Sequence, residues 1–214
     1  MTRIIILGAN GATSQALIPK LLKVDHIEIT LFSRKDNNLQ QYKHHNNIKI
    51  VKGDANLLPT LKEAFQNQDI IISTLGDMDL DLKTQNIIRA MNDLDLKRLI
   101  SINAGGIYDE LPPLFNEWDK RMVGETRPIN LKAANLIESS GLDYTILRPV
   151  WLTNKAITEY VLTQKGALFK GTETSRASLA EFITLLIKKP NLHINENLGI
   201  SQPNTDGDKP EAYR

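Results

Sequence analysis

Residues 3–14 read Arg3-Ile4-Ile5-Ile6-Leu7-Gly8-Ala9-Asn10-Gly11-Ala12-Thr13-Ser14: an unbroken β-branched run, two glycines, then the start of a helical pattern. Consecutive apolar residues without alternation suit a strand covered on both faces, which is how the strands of a parallel sheet lie. At a strand-to-helix turn the glycines have chemical uses. Gly8 can take a backbone conformation closed to other residues, Gly11 lets the backbone approach a diphosphate, and the helix N-terminus presents free N–H groups with partial positive charge. The spacing G-x-x-G-x-x-S departs from G-x-G-x-x-G in spacing and in its last position, where Ser14 keeps the small size that helix–strand packing needs. An ordinary tight turn would use the same two glycines, so the reading rests on what surrounds them.

Outward from this turn, short β-rich runs recur at 3–7, 28–32, 48–51, 69–73, 98–102 and 143–147. Between them lie helical patterns at 13–23, 57–65, 81–92 and 128–140, with a weaker polar one at 37–45. The alternation predicts an α/β fold, a Rossmann-type doubly wound parallel sheet. Right-handed crossovers give the strand order 3-2-1-4-5-6, with ligands expected beyond the carboxyl ends of the strands where the chain reverses between strands 1 and 4. A helix at 178–188 and an extra C-terminal strand at 197–201 follow. One domain over 1–200 is expected, with substrate-side loops at 104–127 and 149–176, and over 201–214 a polar C-terminal tail that begins with an ordered turn and ends loose. Pro19 falls inside the first helix, where it removes a donor and predicts a kink.

Composition removes several chemistries. The 214 residues include no Cys, which excludes a disulfide framework, a thiolate nucleophile and a Cys-ligated metal. Lys and Arg number 26 against 25 Asp and Glu, so charge gives no case for a nucleic-acid or membrane partner. No apolar run approaches the roughly 18 residues of a membrane span. The N-terminus lacks the features of a secretory signal, so a cytoplasmic location is expected. Asp77-Met78-Asp79-Leu80-Asp81 opens like a calcium loop, but Leu82 and Ile88 stand where glycine and glutamate belong. Acids there suit the start of a helix instead. His44-His45 sits in a polar stretch without partners, and no metal site is expected. Neither a Gly-x-Ser-x-Gly turn nor a His-Glu-x-x-His helix is present, which leaves hydrolase chemistry without a foothold.

The carboxyl end of strand 2 discriminates between the two nicotinamide dinucleotides, because an acid there bonds the ribose 2′-OH and repels a 2′-phosphate. Here it reads Ser33-Arg34-Lys35. The Arg34 guanidinium can meet a phosphate with two parallel hydrogen bonds and Lys35 adds charge, so NADP is expected over NAD. A solvated loop is the plainer reading of the same residues, and Asp36 works against the phosphate.

The order Gly8-Ala9-Asn10-Gly11-Ala12-Thr13, Ser33-Arg34, Gly53-Asp54-Ala55, Ser73-Thr74-Leu75-Gly76 and Gly141-Leu142-Asp143-Tyr144-Thr145-Ile146-Leu147-Arg148-Pro149 resembles the atypical short-chain dehydrogenase/reductase group, which includes the NmrA-like proteins and the flavin or biliverdin reductases. The match runs from residue 1 to about residue 200, and its last segment is the most specific. The resemblance implies that Gly8, Asn10, Gly11, Ala12 and Thr13 surround the diphosphate and that Asp54 and Ala55 sit by the adenine. It also implies that Thr74, Leu75 and Gly76 line the dinucleotide and that Pro149 borders the nicotinamide end. Members that reduce ketones carry a Tyr-x-x-x-Lys pair before strand 6 and a Ser ending strand 5. In this chain Lys132 holds the lysine position, which implies a grip on the nicotinamide ribose, but Pro128 replaces the tyrosine and Asn103 the serine. The proton relay is therefore missing.

Tyr108, Leu111, Pro112, Pro113, Phe115 and Trp118 crowd the segment 104–127, and Trp151 follows strand 6. They are expected either to line an aromatic pocket over the nicotinamide, suited to a flat ring, or to pack as a second lobe or dimer contact. Tyr144, inside a buried strand, is expected to be core. Two functions remain: an NADP(H)-dependent oxidoreductase passing hydride directly to a small conjugated acceptor such as a flavin or quinone, and a non-catalytic NAD(P)(H)-sensing regulator of the NmrA-like kind. A monomer or homodimer is compatible with either.

Overall fold

The isoleucines of the opening run lie at the centre of the molecule. In a computed structural model describing residues 1–214, β1 (Thr2–Leu7) sits between β2 (Ile27–Ser33) and β4 (Ile70–Ser73), parallel to both. Successive residues of β1 enter opposite cores: Ile4 and Ile6 pack with α1 (Ala12–Leu21) and α6 (Arg176–Lys188), Ile5 and Leu7 with α2 (Leu58–Ala64), α3 (Leu80–Asp93) and α5 (Arg127–Glu138). All four β1 side chains are fully buried, as a strand with helices on both faces must be.

With β3 (Ile48–Lys52), β5 (Arg98–Ile102), β6 (Asp143–Pro149), β8 (Val161–Gln164) and β10 (Glu196–Ser201), the sheet has the order β3-β2-β1-β4-β5-β6-β10-β8. The expected 3-2-1-4-5-6 order is present and continues through β10, which is parallel to β6, to β8, which is antiparallel to β10. A second sheet of two short parallel strands, β7 (Trp151–Thr153) and β9 (Glu173–Ser175), was not foreseen. It lies with β8 in the segment 149–176 that reads as loop, because strands of three or four residues are too short to show a period.

Other expectations need correction. The segment 104–127 is not one long loop: Pro112 and Pro113 open α4 (Pro113–Val123), where proline is tolerated, and Phe115 and Trp118 lie on its buried face. The region 37–45 forms a 3-10 helix, Asn37–Tyr42. Helix α1 runs through Pro19 and stops two residues later, so the missing donor falls in its last turn. The stretch 201–214 is not loose. Thr172 Oγ1 donates to Thr205 O at 2.6 Å, the Glu211 amide donates to Glu173 Oε1 at 2.7 Å, and a 3-10 turn, Glu211–Tyr213, ends the chain. No helix is long and apolar enough to cross a membrane.

Candidate functional site

A cavity of about 530 Å³ opens beyond the carboxyl ends of β1, β2, β3 and β4, at the reversal of strand order. Gly8 leaves β1 at φ +79°, a conformation that L side chains rarely adopt, and a Cβ there would stand 2.9 Å from Thr74 Oγ1. The closeness has a purpose: the Thr74 hydroxyl donates to Leu7 O at 2.9 Å and shares a 2.8 Å hydrogen bond with the fully buried Ser14 hydroxyl. Ser14 thus stitches α1 to the end of β4, which explains a small polar residue at the end of G-x-x-G-x-x-S. Gly11 is the N-cap of α1. Its helix end has no side-chain cap and no acid in its first turn, so free N–H groups and the positive end of the helix dipole face the cavity.

Asn10 ties this turn to the next loop, its Oδ1 accepting the Asn38 amide at 2.9 Å and its carbonyl accepting from Asn38 Nδ2 at 3.2 Å. That bracket fixes the segment after β2, from which Arg34 and Lys35 reach the cavity. Arg34 is 62% exposed, and its guanidinium lies 3.7 Å from the Asp77 carboxylate across the mouth. Asp54 and Ala55 form the wall after β3, and Gly76 leaves open space where a Cβ would project.

Nine of the expected residues therefore meet around one cavity: Gly8, Asn10, Gly11, Arg34, Asp54, Ala55, Thr74, Leu75 and Gly76. Ala12 and Thr13 form the first turn of α1 behind it. Asn103, Lys132 and Pro149 lie outside its lining, on the β5 and β6 side of the sheet. Both ends of the Asn103 side chain are engaged, Oδ1 accepting the Ala104 amide at 2.7 Å and Nδ2 donating to Asn130 O at 3.0 Å. Lys132, 64% exposed on α5, reaches Asp81 Oδ2 on α3 at 2.6 Å. That bond holds the Asp81 carboxyl below its ordinary pKa. The Pro149 carbonyl accepts the Gly105 amide at 2.8 Å.

Lys83 was missed. On the first turn of α3 it is almost wholly buried yet lines the cavity, and its ammonium meets Asp79 at 2.6 Å and Asp77 at 3.1 Å. Burial pushes the Asp79 carboxyl up, but hydrogen bonds from Lys83 and Asn56 outweigh it and hold the pKa below the ordinary value. The spacing Asp79 to Lys83, i to i+4 at a helix start, was the available signal.

The aromatic segment splits. Phe115 and Trp118 pack with Leu111, Val150, Phe169 and Trp151 into a core of their own, the lobe alternative. Tyr108 stands apart. Its hydroxyl accepts from Asn197 Nδ2 at 2.9 Å, its ring faces Arg148 and Lys165, and burial raises its pKa. Tyr144 flanks the core, as expected.

The family described as NAD(P)H-binding matches residues 8–190. No curated protein matches. Among solved structures, a Rossmann-fold NAD(P)-binding family protein from Shigella flexneri is 42% identical, with 98% of each chain covered and a TM-score of 0.79. A short-chain dehydrogenase/reductase from Veillonella parvula in complex with NADP is 26% identical over 98% of this chain and 99% of its own, with a TM-score of 0.91. ChuY, an anaerobillin reductase from Escherichia coli, is 22% identical over 96% of this chain and 100% of its own, with a TM-score of 0.83, a likeness of fold.

Proposed function

The chain belongs to the NAD(P)H-binding family, and on that premise we propose that it is an NADP(H)-dependent oxidoreductase that transfers hydride directly to a small conjugated acceptor, a flavin, quinone or similar ring. The residues present fit the dinucleotide: an uncapped helix N-terminus, a glycine whose Cβ would project into open space, and two cations beside the wall that ends β2. The NADP bound to the Veillonella parvula protein supports the phosphorylated form.

When bound, the reduced cofactor supplies a hydride. The α1 amides and Gly11 would hold the diphosphate without a competing side chain, and Arg34 with Lys35 would meet the 2′-phosphate. Lys132, outside the cavity lining and paired with Asp81 in the first turn of α3, would have to leave that pair to hold the nicotinamide ribose. The single observation that carries the acceptor class is Asn103. It stands where a proton-relaying serine would be, its amide and carbonyl each bond the backbone, a carboxamide has no proton to give at neutral pH, and Pro128 occupies the tyrosine position. No group at those positions delivers a proton to a developing alkoxide. A conjugated acceptor spreads the incoming charge over its own ring and takes its proton from water.

Steady-state NADPH oxidation with a quinone, compared with a simple ketone, tests the reading. Turnover with the quinone is expected. Efficient ketone reduction would overturn it, and tight NADPH binding without oxidation by any acceptor would favour the regulator.

A further inference from the structure

Trp118 and Trp151 are the only tryptophans in the chain, and they stand edge to face with centroids 5.0 Å apart. Trp118 belongs to α4, and Trp151 begins β7, directly after the carboxyl end of β6. Val150 packs in the same cluster, and the Gly105 amide binds Pro149 O, so the pair stands over the ends of β5 and β6. Of these strands β5 lies next to β4, whose end borders the dinucleotide cavity, and β6 lies one strand further out.

A third ring completes the group. Tyr213, next to last in the chain, lies 5.1 Å from Trp118 and 5.2 Å from Trp151, the latter at an interplanar angle of 88°. The two indoles and the phenol differ in how they are held. Trp118 is buried on a helix whose Phe115 stacks beneath it, whereas Tyr213 is 42% exposed on a terminal 3-10 turn. That turn is fastened at the surface by Glu211 to Lys155 and by the Arg214 guanidinium to the carbonyls of Thr205, Asp206 and Lys209, and further in by one bond, from the Glu211 amide to the buried Glu173. Solvent competes for the surface contacts, all but the bond to Glu173, more readily than for the packing under Trp118.

We propose that the place beside Trp118 and Trp151 where Tyr213 lies is a notch that receives the planar ring of the acceptor, and that Tyr213 occupies it as an internal substitute which the ring displaces. The inference rests on the conjugated-acceptor reading and adds the place and the competitor. Edge-to-face contact with two indoles suits a planar conjugated ring, and an aliphatic ketone has no such surface to offer. Displacement reduces the apparent affinity of the acceptor by the fraction of molecules with the notch open, so removing the competitor strengthens binding.

The test is titration of the whole protein with flavin mononucleotide, followed by tryptophan fluorescence, which reports only Trp118 and Trp151. The unmodified chain is compared with Tyr213→Ala, Tyr213→Phe and a chain ending at Lys209. Tyr213→Ala and the shortened chain are expected to bind the flavin roughly five- to tenfold more tightly. Tyr213→Phe, which keeps the ring, is expected to match the unmodified chain, and NADPH affinity, titrated separately, to stay the same in all four. Equal flavin affinity throughout, weaker binding after removal of the ring, or no fluorescence response in any chain would overturn the proposal. Loss of NADPH binding in the unmodified chain would instead strike at the cofactor reading, which keeps the two failures apart.

Discussion

Arg34 and Asp77 face each other across the cavity mouth, guanidinium to carboxylate at 3.7 Å, while Lys83 holds the same carboxylate at 3.1 Å from below. Asp77 is thus placed where a phosphate approaching Arg34 must compete with it. Arg34→Ala should weaken NADPH binding by about 1–3 kcal/mol, the scale of a lost charge-assisted contact, and leave NADH nearly unchanged. Asp77→Asn should act in the opposite direction, tightening NADPH by up to roughly fivefold, because an exposed ion pair is worth about 0–1 kcal/mol. Calorimetric titration of both cofactors checks this. An equal loss for NADPH and NADH in Arg34→Ala would remove Arg34 from the phosphate.

The two glycines of the first turn should fail differently. Gly11 has φ −77° and ψ 157°, dihedrals that any residue adopts, although a Cβ there would stand 3.2 Å from Gly8 O, and it lines the cavity. Gly11→Val is expected to fold with a shift of a few tenths of an ångström against Gly8 O, and to lose the cofactor, because its branched side chain stands where the diphosphate approaches. Gly8→Ala forces a side chain into φ +79° against Thr74 and should destabilise the fold by about 1–3 kcal/mol. Circular-dichroism melts and NADPH titration separate the two cases. Retained NADPH affinity in a folded Gly11→Val protein would place the nucleotide elsewhere.

Legibility followed physical cause. Ile4 to Leu7 and Ile70 to Ile72 announced a covered parallel sheet because a doubly buried strand has little room for polar residues. Helix α4 was hidden because Pro112-Pro113 reads as loop punctuation, although the same pair can open a helix. The cavity wall formed by Lys83 was half hidden: the Asp79-to-Lys83 spacing is in the sequence, but the burial of the ammonium and its second contact, to Asp77, show only in space. Tyr213 gave no local sign at all. Its partners Trp118 and Trp151 are distant in sequence, and only packing reveals them.

Acid should weaken the fold in part through Asp79 and Asp81. Both carboxyls are held below their ordinary pKa in the folded state, Asp81 by the hydrogen bond from Lys132, and Asp79 by bonds from Lys83 and Asn56 that outweigh its burial. A group depressed on folding contributes stability above its unfolded pKa, and that contribution is lost as the pH falls through the folded value. Thermal midpoints should therefore decline below about pH 4, the range of an unperturbed Asp. The decline should be shallower in Asp79→Asn and Asp81→Asn. An unchanged slope in both variants would show that these pairs do not govern the acid limb.

The most severe single replacement should lie outside the cavity. Arg148, with no exposed surface, forms an ion pair with the equally buried Glu110 and also donates from Nε to Asn197 Oδ1 at 2.7 Å. Glu110 in turn accepts the amides of Gly106 at 3.2 Å and Tyr108 at 2.6 Å, so one carboxylate organises the loop that leaves β5. Arg148→Met keeps much of the volume but leaves that carboxylate buried without its counter-charge. Removing one partner of a buried pair costs about 3–5 kcal/mol, well above the effect of any surface pair. Adding Glu110→Gln should recover part of the loss, since an amide carbonyl still accepts a backbone N–H and carries no charge. Urea unfolding of the single and double variants measures both steps. A single variant within 1 kcal/mol of the unmodified protein, on the roughly ±0.5 kcal/mol scale of surface changes, would mean that water reaches Glu110 and the pair is not buried as described.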